Sequence, residues 1–132
     1  MNLVFRPLFL VCALSFCAPL GASESALNWQ KTELFFGLSR PKQKPISPRE
    51  WENFAATQIT PRFPDGFTVM DGVGQWRGKN GKIAREKAKI LLVVHPKNAH
   101  FERAVQKIIA AYKTRFAQQS VLRVESEVKV RF

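Results

Sequence analysis

Apolar residues recur along the chain with two periods, which predict strands and helices. A first strand is predicted from alternating apolar residues, Leu34, Phe36 and Leu38. The stretch Ser47-Pro48-Arg49-Glu50 has the residue types of a helix start, with a capping serine, an early proline and a glutamate three residues after the cap. The apolar stripe of this first helix consists of Trp51, Phe54 and Ala55. Pro61 predicts its end, because the residue before a proline disfavours helical geometry.

A hairpin, a second helix and a last strand follow. The segments Phe67 to Arg77 and Ile83 to His95 are predicted to pair around an Asn80-Gly81 turn, since both turn positions tolerate positive φ. The second helix is predicted from apolar residues three and four positions apart, Phe101, Val105, Ile108, Tyr112 and Phe116. Apolar and charged residues then alternate from Leu122 to Phe132. The order β-α-β-β-α-β predicts an α+β domain of ferredoxin-like topology, a four-stranded antiparallel sheet with two helices on one face.

A two-residue turn at Asn80-Gly81 would fix which residues of the hairpin face each other. Arg77 then lies opposite Ala84 and Gln75 opposite Glu86, and facing partners point to the same side of the sheet. The side under the helices is predicted to hold seven apolar residues, Phe67, Val69, Val73, Ala88, Ile90, Leu92 and Val94. The same side would receive three polar residues, Asp71, Gln75 and Glu86.

Those three polar residues are the first candidates for a functional site. A buried carboxylate destabilises a fold unless it is paired, so Asp71 and Glu86 need partners or a ligand. Arg62 is a candidate partner, and Asp65 lies in the same loop, Arg62–Gly66. We predict either a ligand pocket between this loop and the hairpin or a structural cluster that fixes the loop to the hairpin. A turn or bulge at Asp71-Gly72 would change the register.

The opposite face of the hairpin is predicted to carry Gly72, Gly74 and Trp76, with Arg85 beside Trp76 as a cation–π pair. Trp76 and Arg85 complete the candidate ligand-binding set. A sheet face this apolar predicts a homodimer through it. Basic residues beside Trp76 would also suit single-stranded nucleic acid. The aromatic-rich RNA-binding motif is absent, however, and predicted export argues against that partner.

The N-terminal residues predict export. Residues 1–6 carry one positive charge, residues 7–20 are apolar and uncharged, and Gly21-Ala22-Ser23 are small, which is typical of a secretory signal peptide. We predict a signal peptide over 1–22, cleaved between 20 and 26, and one domain over 23–132 that is periplasmic or secreted. Both cysteines, Cys12 and Cys17, precede that domain, which would then form no disulfide. A lipid anchor at Cys17 is the alternative.

Charge suggests a class of partner. The chain of 132 residues has a net charge of +11, and 45% of its residues are hydrophobic, enough for one core. A basic balance favours anionic partners, such as an anionic component of the envelope. Because the basic residues are spread along the chain, a solvated basic surface is the simpler alternative.

Few residues suggest catalysis. His95, His100 and Glu102 could together ligate a metal, but their spacing is not metal-specific, so we predict no metal and no cofactor. No serine lies in a nucleophile elbow, and Gly72-Val73-Gly74 does not precede a helix as a phosphate loop would. We therefore predict a binding or structural protein and assign no catalytic residue. A small-molecule enzyme or specific ligand binder that uses the predicted pocket is the alternative.

Several segments together resemble one bacterial family. They are Glu33–Ser39, Trp51, Thr60–Gly66, Gly74–Arg77, Ile83–Glu86 with Lys89, and Tyr112–Val121. The family is DUF3574, a domain of unknown function in small exported or lipid-anchored proteins, and the resemblance spans about Trp29 to Phe132. It implies export and a single small domain. It implies no activity and supplies no catalytic residues.

Overall fold

Four antiparallel strands form one sheet, with two helices on one of its faces. The computed structural model describes residues 28–40, 42–77 and 81–131. The elements are β1 Trp29–Gly37, α1 Pro48–Phe54 with a π-helical continuation Ala55–Ile59, β2 Thr68–Arg77, β3 Ile83–Pro96, α2 Ala99–Phe116 and β4 Leu122–Val128. The strand order is β2-β3-β1-β4. The predicted α+β ferredoxin-like fold is confirmed. The predicted signal peptide, both cysteines and Asn80 of the predicted turn lie outside the described residues.

The start of α1 has the predicted capping box. The Glu50 backbone N–H donates to Ser47 Oγ at 3.3 Å, and the Ser47 backbone N–H donates to Glu50 Oε2 at 2.8 Å. Hydrogen bonds from the Ser47 backbone and hydroxyl, then from Arg40, lower the pKa of Glu50 to about 2. The two bonds of the capping box each satisfy a backbone N–H group that the start of a helix leaves without a partner. None of the helices in the described part of the chain is long and apolar enough to cross a bilayer.

An aromatic cluster between β1 and the helices forms the centre of the core. Phe36 is fully buried, and its ring lies 4.6 Å from that of Tyr112 and 5.3 Å from that of Trp51, centre to centre. These separations are in the favourable range for aromatic pairs, each worth about 0.5–1.5 kcal/mol beyond area burial. Phe63 stacks on Phe101 at 4.9 Å and so anchors the loop between α1 and β2 to α2.

The register of the hairpin differs by one residue from the predicted one. Arg77 pairs with Ile83, whereas a two-residue turn at Asn80-Gly81 would pair it with Ala84. A shift of one residue moves every side chain of β3 to the other face. Leu91 therefore lies under the helices, opposite Leu34. The β3 residues predicted there, Glu86, Ala88, Ile90, Leu92 and Val94, lie on the other face instead.

The pattern of β3 does not specify its buried face, because residues 90–94 are all apolar. Pairing with β1 determines it, since Leu34 and Phe36 must point into the core. We call the sheet face opposite the helices the open face. In β4 the charged residues Arg123 and Glu125 face the helix side, while Leu122, 60% exposed, lies on the open face.

Candidate functional site

A groove of about 860 Å³ lies on the open face, at the hairpin end of the sheet. Its floor comes from β1, β2 and β3, and one wall comes from residues 117–120, which follow α2. Ala117 ends α2 in a left-handed conformation, φ 53°, which turns the chain towards this wall. The large apolar lining residues are Phe35, Trp76, Ile90 and Leu122. A concave, mainly apolar site of this size is typical of small-molecule binding.

Glycines keep the floor of the groove low. A Cβ at Gly37 would lie 2.7 Å from Glu86 Oε1, and a Cβ at Gly72 would lie 3.0 Å from Ile90 Cδ1. Gly74 has more room, because a Cβ there would lie 3.9 Å from the Trp76 ring. The glycines on these neighbouring strands thus leave space that side chains would otherwise fill.

Glu86 carries the one acidic group among the described residues that line the groove. Its Oε1 accepts a 2.7 Å hydrogen bond from the Ser39 backbone N–H, and the whole carboxylate lies over Gly37. Within residues 28–40, 42–77 and 81–131, Oε2 has no hydrogen-bond donor. The backbone therefore fixes the position of one oxygen and leaves the other able to accept a bond from a ligand.

Tyr112 supports the groove from the core. Its hydroxyl donates to the Gly37 carbonyl at 2.8 Å, although the side chain belongs to α2 on the far side of the sheet. Burial raises the pKa of Tyr112, and the negative charge of Glu86 raises it further. The hydroxyl consequently keeps its proton and holds the backbone on which the carboxylate rests.

The structure brings together only two of the seven predicted site residues, Trp76 and Glu86, in the groove. Because of the register shift, Arg85 points away from Trp76, and the predicted cation–π pair is wrong. Three other predicted site residues share the helix-side face of the hairpin, Asp71, Gln75 and Arg85. There the Arg85 Nε–H donates to Gln75 Oε1 at 2.9 Å, and Asp71 pairs with Lys89 at 2.5 Å.

The loop Arg62–Gly66 does not reach this groove. Arg62 donates instead to the Gln58 carbonyl at 2.7 Å, inside its own turn, so the predicted partnership with Asp71 and Glu86 is wrong. Asp65 is exposed. Neither Arg62 nor Asp65 lines the groove, which lies on the face opposite to the predicted pocket.

A second polar cluster, which the sequence did not predict, lies at the other end of the sheet under the start of α2. Arg123 donates to Glu102 through Nη1 at 2.9 Å and also contacts Glu125 at 2.5 Å. His95 Nε2 lies 3.0 Å from the Thr32 hydroxyl. A smaller cavity of about 420 Å³ adjoins these side chains. The one signal of this cluster in the sequence is the alternation of apolar and charged residues in β4.

The electrostatics of this cluster suggest a structural role. Arg123 lowers the pKa of Glu102, and Glu102 in turn raises that of Arg123, so both remain charged. Burial lowers the pKa of His95, which favours the neutral ring. Its Nδ1–H donates to the Pro96 carbonyl at 2.9 Å. Thr32 is only 1% exposed, so its hydroxyl cannot reach a substrate. The cluster fixes α2 to β3 and β4.

The described residues contain no group of three metal-ligating side chains placed to hold an ion. His100, which we considered with His95 and Glu102, is exposed at the start of α2. His95 already uses both ring nitrogens within the protein.

Comparison with known proteins identifies a family and several similar folds. A family model described as "Protein of unknown function (DUF3574)" matches residues 31–132. A phage SAM lyase in complex with S-methyl-5'-thioadenosine matches with a TM-score of 0.60 at 15% identity, covering 78% of this chain and 84% of that one. The apo form of a phage SAM lyase gives 0.56 at 18% identity, with 76% and 82% covered.

A third solved structure, CutA from Synechococcus elongatus PCC7942, gives a TM-score of 0.54 at 9% identity, with 78% of this chain and 79% of that one covered. At these identities the matches show a shared fold. No curated protein matches the chain.

Proposed function

Since the chain belongs to the DUF3574 family of proteins of unknown function, its function has to be inferred from its own groove, and we propose that it binds a small nucleoside-like molecule there. The observation that carries this proposal is the pairing of an apolar, partly aromatic floor with one oriented carboxylate. A planar base can pack against the Trp76 ring, and the Glu86 carboxylate can accept a hydrogen bond from a hydroxyl or amino group.

The chemistry of nucleosides matches this arrangement. In dinucleotide-binding folds an acidic side chain binds a ribose hydroxyl, because a carboxylate oxygen accepts its hydrogen. Glu86 Oε1 is already held by the Ser39 N–H, so the carboxylate keeps its orientation before a ligand arrives. The solved neighbour that contains S-methyl-5'-thioadenosine makes thioether nucleosides the first ligands to test. Among the groove-lining residues that the structure describes there is no histidine, cysteine or lysine, and we assign no reaction.

Calorimetric titration of the full chain with S-methyl-5'-thioadenosine and with adenosine tests the proposal. We expect saturable binding that Glu86→Gln weakens at least about tenfold, since a hydrogen bond to a charged group is worth about 1.5–3 kcal/mol. Trp76→Ala should weaken binding by a similar factor, because it removes an aromatic side chain from the floor of the groove.

Glu52→Gln is the matched control, because Glu52 is an exposed acid on α1, outside the groove, and the change in charge is the same. This variant should bind as the unmodified chain does. Absence of binding to either nucleoside would reject the ligand class. Binding that is unchanged in the Glu86 and Trp76 variants would reject the groove as its site.

We also propose, as the second candidate function, that the protein is exported and associates with an anionic component of the bacterial envelope. The net charge of +11 supports an anionic partner, and the apolar N-terminal segment supports export. N-terminal sequencing of the protein purified from its host tests export, and an intact Met1 would contradict cleavage. Loss of association at high salt tests the electrostatic part.

A further inference from the structure

The free end of the β2–β3 hairpin projects beyond the rest of the sheet. β1 ends at Gly37, opposite Ala88, and the last backbone contact on that side runs from Leu38 N–H to the Lys87 carbonyl at 2.9 Å. Residues 83–86 therefore pair only with β2 among the described strands. We call the helix-side surface of this projection the ribbon face: Val73, Gln75, Arg77, Ile83, Arg85 and Lys87.

The ribbon face carries three cations and no carboxylate. The acid within this stretch, Glu86, points to the open face, where the Ser39 N–H holds it. The nearest acid on the same side, Asp71, pairs with Lys89 instead. Arg85 bonds to a neutral partner, Gln75, and so keeps its charge uncompensated. The surface is consequently complementary to an anion-rich partner.

Exposed aliphatic side chains alternate with these cations. Val73 is 73% exposed and pairs with Lys87, while Ile83 is 52% exposed and pairs with Arg77. Isolated apolar residues on a surface are ordinary, but here each lies beside a long basic side chain. At a bilayer surface, aliphatic groups enter the boundary of the acyl chains while cations bind the phosphates of the headgroups.

We propose that the ribbon face docks on an anionic phospholipid surface. This inference gives a location and a partner to the anionic association proposed above. It uses hairpin side chains on the sheet face away from the groove, although Val73 also adjoins the groove lining. Nucleic acid offers the same phosphates, but it would leave Val73 and Ile83 in water. A lipid surface uses the cations and the aliphatic groups together.

Co-sedimentation of the full chain with vesicles tests this docking. The probes are vesicles of equal parts phosphatidylglycerol and phosphatidylcholine, and vesicles of phosphatidylcholine alone. Each basic side chain near an anionic surface contributes about fivefold to partitioning, so the double variant Arg85→Gln with Lys87→Gln should bind the anionic vesicles about 25-fold more weakly. Val73→Ser should weaken binding without a change in charge.

The matched control is the double variant Lys107→Gln with Lys113→Gln, which removes two exposed cations from α2. Every protein in the comparison carries the same N-terminal segment, so that segment does not account for a difference between them. This control should lose less than about threefold. Equal losses in both double variants would reject the ribbon face but leave a diffuse anionic association standing. Absence of binding to anionic vesicles, or tight binding of a DNA duplex in their place, would overturn the lipid proposal.

Discussion

Gly37 and Glu86 lie in contact across neighbouring strands, and the groove depends on that contact. The carboxylate occupies the space that a side chain at position 37 would need. Because Glu86 is a flexible side chain, it can move aside at little cost to the fold. Gly37→Ala should therefore change the free energy of unfolding by less than about 1 kcal/mol. It should weaken nucleoside binding about tenfold, since the carboxylate leaves the Ser39 N–H.

Gly74→Ala is the control for this prediction, because it adds the same methyl group at a position where the nearest atoms would lie 3.9 Å away, at van der Waals distance. Calorimetric titration with the nucleoside and urea unfolding give the two quantities for each variant. Equal loss of binding in both alanine variants would mean that the added methyl fills the groove, and that the position of Glu86 is unimportant.

His95 connects the stability of the fold to pH. Its pKa is lowered by burial, so the unfolded chain takes up a proton at a higher pH than the folded protein does. The contribution of neutral His95 to the free energy of unfolding is therefore fully present above the ordinary histidine pKa of 6.5, and it falls as the pH decreases below that value. The charged groups nearest the ring are Glu102, Arg123 and Glu125. The carboxylates partly offset the effect of burial, and Arg123 adds to it.

We expect the unfolding free energy to decrease from about pH 7 to about pH 5, with a slope from this one group of at most about 1.4 kcal/mol per pH unit. His95→Phe should flatten that slope. His100→Gln removes an exposed histidine and should leave it unchanged. Urea unfolding midpoints across this pH range measure both variants, and a slope that survives in His95→Phe would contradict the assignment.

At the scale of elements, the strands and helices follow from the sequence because each carries a local signal. The capping box at Ser47 and the stripe of α2 each specify an element without reference to the rest of the chain. Register is different, because it depends on the turn and on which face a neighbour buries. The apolar run of residues 90–94 fits either face, so the assumed turn determined the predicted register, and the shift by one residue followed.

Because of that shift, the predicted site residues of the hairpin lie on two faces: Trp76 and Glu86 on the open face, and Asp71, Gln75 and Arg85 on the helix side. The alternation of side chains along β2 is sufficient to place Gly72, Gly74 and Trp76 on the open face, which the structure confirms. Glu86 was assigned to the wrong face, because its position depended on the register of β3. The cluster around Arg123 was not predicted, since an alternating strand with charged residues normally turns those residues to water. Here the start of α2 supplies Glu102 as their partner.

At the scale of the whole molecule, the open face leaves apolar side chains without a covering layer among the described residues. The groove occupies the hairpin end of this face. Beyond the groove, the exposed large apolar residues of the face are Met70, Val94 and Val124. The Lys31–Glu33 ion pair, at 3.2 Å, lies among them. Exposed apolar side chains beside a few paired charges are typical of an interface between subunits. The homodimer through this face remains a prediction.

We expect sedimentation velocity to give the full chain twice its 15.0 kDa mass. Met70→Glu should raise the dissociation constant at least about 100-fold, because Met70 lies opposite Ile90, and burying an unpaired carboxylate in an apolar contact costs several kcal/mol. Val73→Glu introduces the same charge on the helix side of the hairpin and should remain dimeric. A monomeric mass for the unmodified chain would reject the dimer, and dissociation by Val73→Glu alone would place the contact on the other face of the hairpin.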